Sequence, residues 1–206
     1  MSDKDKETKE LTEDEKLHQD PKFIEAVNTT GNIIANLLPL QKEFNTNFQT
    51  KHNNKFNVFD YVTGISIKMY SILDKLNCWQ LYKSFDKVDK DSVLKDFAEC
   101  LQYLFNSFND IKKEEDRNNI IAGFSMGYWD AKVHINPDAD HKEVVKEITQ
   151  TIATAVEADQ NKDLTVVRMI GLLTIAIEFA FDFTVDWEDF VYYYKRSAKD
   201  LLIQLN

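Results

Sequence analysis

The chain has 206 residues, 43% of them hydrophobic and 29% charged, which suits one soluble domain with a sizeable core. Its formal net charge of −10 argues against broad binding to nucleic acid or to an anionic membrane surface, both of which need a basic face. Two cysteines, Cys78 and Cys100, argue against a disulfide framework or a zinc knuckle and read as reduced core thiols.

Few turn signals, 5 Gly and 3 Pro, favour long helices with short connections. The opening "MSDKDKETKELTEDEKLHQD" is charged throughout and without periodicity. Residues 1–19 are expected to be a disordered or loosely helical charged tail, with no apolar signal segment, and a cytoplasmic protein follows from that reading. One all-α domain is expected over 20–206. Asp20-Pro21 is a helix start, an N-cap followed by proline at the first helical position. "KFIEAVNTTGNIIANLL" carries apolar residues at helical spacing, and Pro39 is expected to break or kink it. "LQKEFNTNFQTKH" then reads as a further helix. Residues 54–85 predict a long helix with Val62, Ile65, Met69, Ile72, Leu73 and Leu76 on one stripe. The next helix, near Ser92, has its stripe at Leu94, Phe97, Ala98, Leu101, Leu104, Phe105 and Phe108. "DIKKEEDRNN" reads as a solvated connection and "IIAGFSMGYWDAKV" as a short helix. Residues 164–182 are apolar nearly all round, the pattern of a central or interface helix, and the most apolar stretch within them, "MIGLLTIAIEFAF", is too short to span a bilayer and is interrupted or bounded by Arg168, Glu178 and Asp182. "DWEDFVYYYKRSAKDLLIQL" is the last helix. The four histidines show no metal spacing and read as surface residues.

Two polar pairs interrupt the apolar pattern. In "SILDKLNCWQLYKSF", Ser71 and Asp74 lie three apart, opposite the Ile65–Met69–Ile72 stripe. In "KDFAECLQYLF", Asp96 and Glu99 repeat the spacing opposite Phe97, Leu101 and Leu104. Residues three apart share a helix face. Their neighbours mix apolar and small polar groups, as a cavity wall would. Two such helices side by side aim four oxygen-bearing side chains at one spot, a donor set that suits a hard cation such as Mg²⁺. The plain alternative is that all four face water.

Both stretches, with "LQKEFN" before them and "DWEDFVYYYKR" near the C-terminus, resemble the all-α dimeric dUTPases of the all-α nucleoside-triphosphate pyrophosphatase superfamily. That family carries Glu-x-x-Glu, a short Asn step and Phe-Lys-x-Trp on one helix, then Glu-Glu-x-x-Asp-x-Leu-His-Phe on the next. Ser71 and Asp74 take the two Glu places, Asn77 the Asn, and Tyr82-Lys83-Ser84-Phe85 the aromatic-Lys-x-aromatic segment. Asp96 and Glu99 take the acidic places, and Gln102-Tyr103 the His-Phe. Gln41 and Asn45 stand where the family's Gln and Asn line the uracil pocket. The resemblance covers residues 38–110 and 165–200 in the family's order.

The resemblance implies a helical homodimer that hydrolyses dUTP, or a related pyrimidine deoxynucleotide, to dUMP and pyrophosphate. Mg²⁺ would be held by Asp74, Asp96, Glu99 and Ser71, with Asp96 and Glu99 central to catalysis. It implies substrate contacts from Gln41, Asn45, Asn77, Lys83, Phe85, Lys195 and Arg196. The departures are equally plain. Ser71 carries no charge, Asp74 and Asp96 are a methylene short, and Glu99 is a methylene long. "KRSAKDLLIQ" lacks both Asn and the Arg of the family's nucleotide-contacting C-terminal stretch. Asp60, Glu178 and Asp182 are the nearby carboxylates available to replace the one lost at Ser71. The expectation is therefore a dUTPase-like protein with weakened or lost catalysis. The alternative is a noncatalytic relative that senses nucleotide or binds a protein partner, and a helical interaction protein with no nucleotide link is the third reading.

Overall fold

The computed structural model describes residues 11–53, 56–75, 89–134 and 187–205, with isolated positions 146, 149, 150 and 153. The helix expected over 164–182, and with it Glu178 and Asp182, lies outside them, as do Asn77, Lys83 and Phe85. Six helices are described: α1 (Glu13–Leu17), α2 (Pro21–His52), α3 (Val58–Lys75), α4 (Lys90–Asn109), α5 (Glu114–Val133) and α6 (Trp187–Leu205). No strand occurs among the described residues, and the fold is all-α. No helix among them is long and apolar enough to cross a membrane.

Short polar side chains start these helices because the first backbone N–H groups have no partner inside the helix. Asp20 accepts from the Lys22 amide over 2.8 Å, ahead of Pro21. Asp89 caps α4 through the Ser92 amide at 3.3 Å. Asn57 and Asp60 cap the start of α3 reciprocally, each side chain accepting from the other's amide, at 3.2 and 2.8 Å. The charged segment read as a tail carries α1, fixed by a capping box in which Thr12 and Glu15 satisfy each other's amides.

Pro39 does not end α2. The helix runs through it for 32 residues. Proline removes one hydrogen bond and crowds the preceding turn, yet both sides of it are anchored. Ile34, Leu37, Leu38 and Gln41 are all buried, and the Asn109 amide donates to the Leu38 carbonyl over 3.2 Å. The expected solvated connection also shrinks. Its second half is the first turn of α5, where Glu114, Glu115 and Asp116 favour the positive end of the helix dipole.

Helix α4 is central among the described elements. It packs on α3, α6 and α2, while α2 also packs on α5. Its stripe, from Leu94 through Phe108, is buried, and Asp96, Gln102, Asn106 and Ser107 are buried as well. A helix covered nearly all round has no wet side to give its polar residues. Burying each large apolar side chain contributes roughly 1.5–3 kcal/mol, and Phe97, Phe105, Tyr128, Phe190 and Tyr194 are all within 1% of full burial. Phe97 meets Phe190 edge-on with ring centres 5.6 Å apart. The Trp129 indole donates to Thr30 over 2.8 Å, tying α5 to α2. Gly64 lets α3 approach α4: a Cβ there would lie 2.5 Å from the Tyr103 ring. That close approach brings Ser71 within reach of Asp96.

Candidate functional site

On α3, Lys68, Ser71 and Lys75 fall at i, i+3 and i+7, one face of the helix. On α4, Asp96 and Glu99 fall three apart. The two faces meet. Ser71 donates its hydroxyl to Asp96 Oδ2 over 2.6 Å. The Lys75 ammonium donates to the same oxygen and to the Ser92 carbonyl over 3.1 Å. Lys68 reaches Asp96 Oδ1 at 3.5 Å and pairs with Glu99. Asp96 keeps 6% of its side chain exposed, against 27% and 29% for Lys68 and Lys75. The lysine stems lie along the helices and bring their charge inward.

Two cations and two anions cancel here. Burial pushes the Asp96 carboxyl up, but the hydrogen bonds from Lys75 and Ser71 and the charges of both lysines outweigh it and hold the group below the ordinary carboxylate value. Burial pulls Lys68 down, and the hydrogen bond and charge of Glu99, with Asp96 behind, overrule it and raise it. Beneath them Cys100 is fully buried, and burial, then the Asp96 charge, pushes its thiol far up. It is a core thiol rather than a nucleophile.

The structure thus joins three of the four residues read as metal ligands, Ser71, Asp96 and Glu99. Asp74 is exposed on the outer side of α3, and Asp60 is engaged in capping α3 three turns away. Mg²⁺ demands near-octahedral oxygen coordination. Here both oxygens of Asp96 and the Glu99 carboxylate face ammonium groups, and Ser71 spends its proton on Asp96. Among the described residues no three His, Cys, Asp or Glu side chains gather as a metal ion needs. As arranged, these residues do not fit a divalent ion: two lysine charges stand where the cation's charge would be. Lys68 and Lys75 escaped the motif reading, although their helical spacing around Ser71 is written in the sequence.

The residues matched to a base pocket lie on the far side of α4. Gln41 is 1% exposed and accepts from the Tyr194 hydroxyl over 2.6 Å. Tyr194 stacks obliquely on Phe105, ring centres 5.3 Å apart, which sets Gln41 beside α4. Among the described residues, three side-chain amide atoms are buried with no hydrogen-bond partner: Asn45 Oδ1 on α2, and Gln102 Nε2 and Asn106 Oδ1, which follow Glu99 on its own face of α4. A buried polar atom left unpaired costs about 1–3 kcal/mol, so each is unusual in a settled core. Gln102 and Asn106 are one turn apart on α4 and were not part of the motif reading as pocket residues.

Lys195 and Arg196 are exposed on α6. Arg196 lines a cleft of about 310 Å³ between α6 and the start of α4, together with Lys95, Tyr193, Asp89, Asp91 and Asp200. Its charge is mixed. Tyr193 donates to Asp91, and that bond, more than burial, pushes the phenol up to about 12. Compared with known proteins, the chain matches no family model, no curated protein and no solved structure.

Proposed function

We propose that this chain is a noncatalytic relative of the dimeric dUTPases, a helical homodimer that senses a pyrimidine deoxynucleotide or binds a protein partner, with its Mg²⁺-dependent pyrophosphatase chemistry lost. The observation that carries the reading is the engagement of Asp96 and Glu99 by Lys68 and Lys75. An ammonium neutralises a carboxylate, but it offers no open coordination position for a water or a phosphate oxygen. Ser71, in the place of a carboxylate, donates to Asp96 instead of ligating. Nucleotide sensing draws on a second feature. The edge of a pyrimidine base offers donors and acceptors, and Asn45, Gln102 and Asn106 hold buried amide atoms that still lack them.

The test is pyrophosphate release from a panel of nucleoside triphosphates with Mg²⁺ and Mn²⁺, against a Glu99→Gln control. The proposal expects no release above the control. Release from dUTP that the control loses would make the chain an active pyrophosphatase in which the lysines swing aside and Ser71 is a tolerated change. Calorimetry with dUMP separates the two noncatalytic roles: binding that Asn45→Ala weakens supports sensing, and silence leaves the protein-binding dimer.

A further inference from the structure

Helix α1 buries none of its residues. Leu17 is half-covered and Leu11 is 41% exposed, so apolar contact holds the helix only weakly. What ties it to the bundle is polar and comes from the last turn of α5. His18, at the end of α1, sets Nε2 at 2.8 Å from Asp130 Oδ1, with its ring 5.4 Å from that of Phe23. In the opposite sense His134, at the end of α5, sets Nε2 at 3.1 Å from Asp14 Oδ1. The two pairs cross, each helix giving one histidine and one aspartate.

His134 has a further contact. Its Nδ1 lies 2.9 Å from the Asp130 carbonyl oxygen. Both ring nitrogens therefore face atoms that only accept. A neutral imidazole carries one N–H and satisfies one of them, whereas an imidazolium carries two and satisfies both. The geometry thus asks for a proton at His134. The charged groups facing it are Asp14 from α1 and Asp130 from its own helix, both acidic. Lys132, on the same turn, lies over the Trp129 ring, 4.8 Å from its centre.

We propose that His134 is a proton-operated latch that fastens α1 to the end of α5, and that α1 comes off the bundle as the pH rises and this histidine loses its proton. The direction is fixed by linkage. The Asp130 backbone bond, and then the Asp14 and Asp130 charges against slight burial, raise His134 above its ordinary value. A group raised on folding gives its stabilisation in full below the ordinary histidine value of about 6.5 and loses it as pH climbs through the raised one. The latch is closed below the ordinary histidine value and opens above the raised one. It stands apart from the nucleotide reading, since neither histidine belongs to that motif set.

Hydrogen exchange of the full chain, read on a peptide spanning α1 and corrected for the intrinsic pH dependence of exchange, tests this at about pH 6 and pH 8.5. The expected result is a fall in protection of roughly two- to fivefold, the range one exposed ion pair supplies. His134→Gln and, separately, Asp14→Asn should show the low protection already at the acid pH. Both positions are on the surface, so the bundle itself should keep its melting temperature. Protection that does not change with pH would overturn the proposal. So would a pH-dependent fall that persists in His134→Gln, or a His134→Gln chain that keeps α1 protected in acid.

Discussion

Asp96 is the residue on which the candidate site turns. Its carboxylate is nearly closed off from water and accepts from Lys75, Ser71 and Lys68. Taking away one partner of such a pair leaves charge that solvent reaches poorly, so Lys75→Met should cost about 2 kcal/mol at pH 7, less than for a fully buried pair because the ammonium is part-exposed. The same change alters the acid limb. Because the fold lowers the Asp96 value, its stabilisation is complete above the unfolded carboxylate value of about 3.9 and is lost as pH falls through the folded one. Urea unfolding at neutral pH and near pH 3 checks both: the variant should be weaker at the first and lose less on reaching the second. An equal acid loss in both chains would mean that Asp96 is not the titrating group. The i, i+3 spacing put Ser71 with Asp74 and Asp96 with Glu99 on one face of each helix, but it left open whether those faces met or turned to water, and Asp74 did not follow the others. The inward turn of the lysines was not legible, because a long flexible stem serves an exposed face and a buried carboxylate equally well.

Among the helices, α2 departs most from a local reading of the sequence. A proline in mid-helix costs about 3 kcal/mol against alanine, and a window around Pro39 alone divides the segment in two. Burial on either side decides otherwise, with Leu37, Leu38 and Gln41 held against α4, α5 and α6 in a single stretch. Pro39→Ala should therefore stabilise the chain by about 1–3 kcal/mol and leave the fold alone, which thermal and urea unfolding will read. A destabilised variant would mean that the packing depends on Pro39 itself. The stripes of α3 and α4 were legible in full over the described residues, since Val62, Ile65, Met69, Ile72 and the α4 set from Leu94 to Phe108 are all buried. The cover over the other side of α4 was not legible. Burial of Asp96, Gln102 and Asn106 depends on which helices lie across them, and helical spacing carries no record of that.

For the molecule as a whole, a net charge of −10 on 206 residues sets acidic groups against one another over much of the surface. That repulsion opposes the folded state, and salt screens it over about 10 Å at 0.1 M. Raising NaCl from roughly 20 mM to 300 mM should raise the melting temperature, since exposed pairs such as Lys90–Asp189 at 3.7 Å contribute little to lose. A falling melting temperature would mean that surface pairing outweighs repulsion. The all-α class was legible from composition and period. The attachment of α1 was not, for it joins His18 to a residue 112 positions away, and a charged stretch without periodicity gives no hint of a distant partner.

The pairing of Lys68 and Lys75 with Asp96 and Glu99 also changes what the joint between α3 and α4 depends on. A bound ion comes and goes with its concentration, and a joint that relies on one loosens when the supply falls. A counter-ion carried on the chain is always at hand, in fixed proportion, and no chelator can remove it. The joint between α3 and α4 is thus held by charges that the chain itself carries.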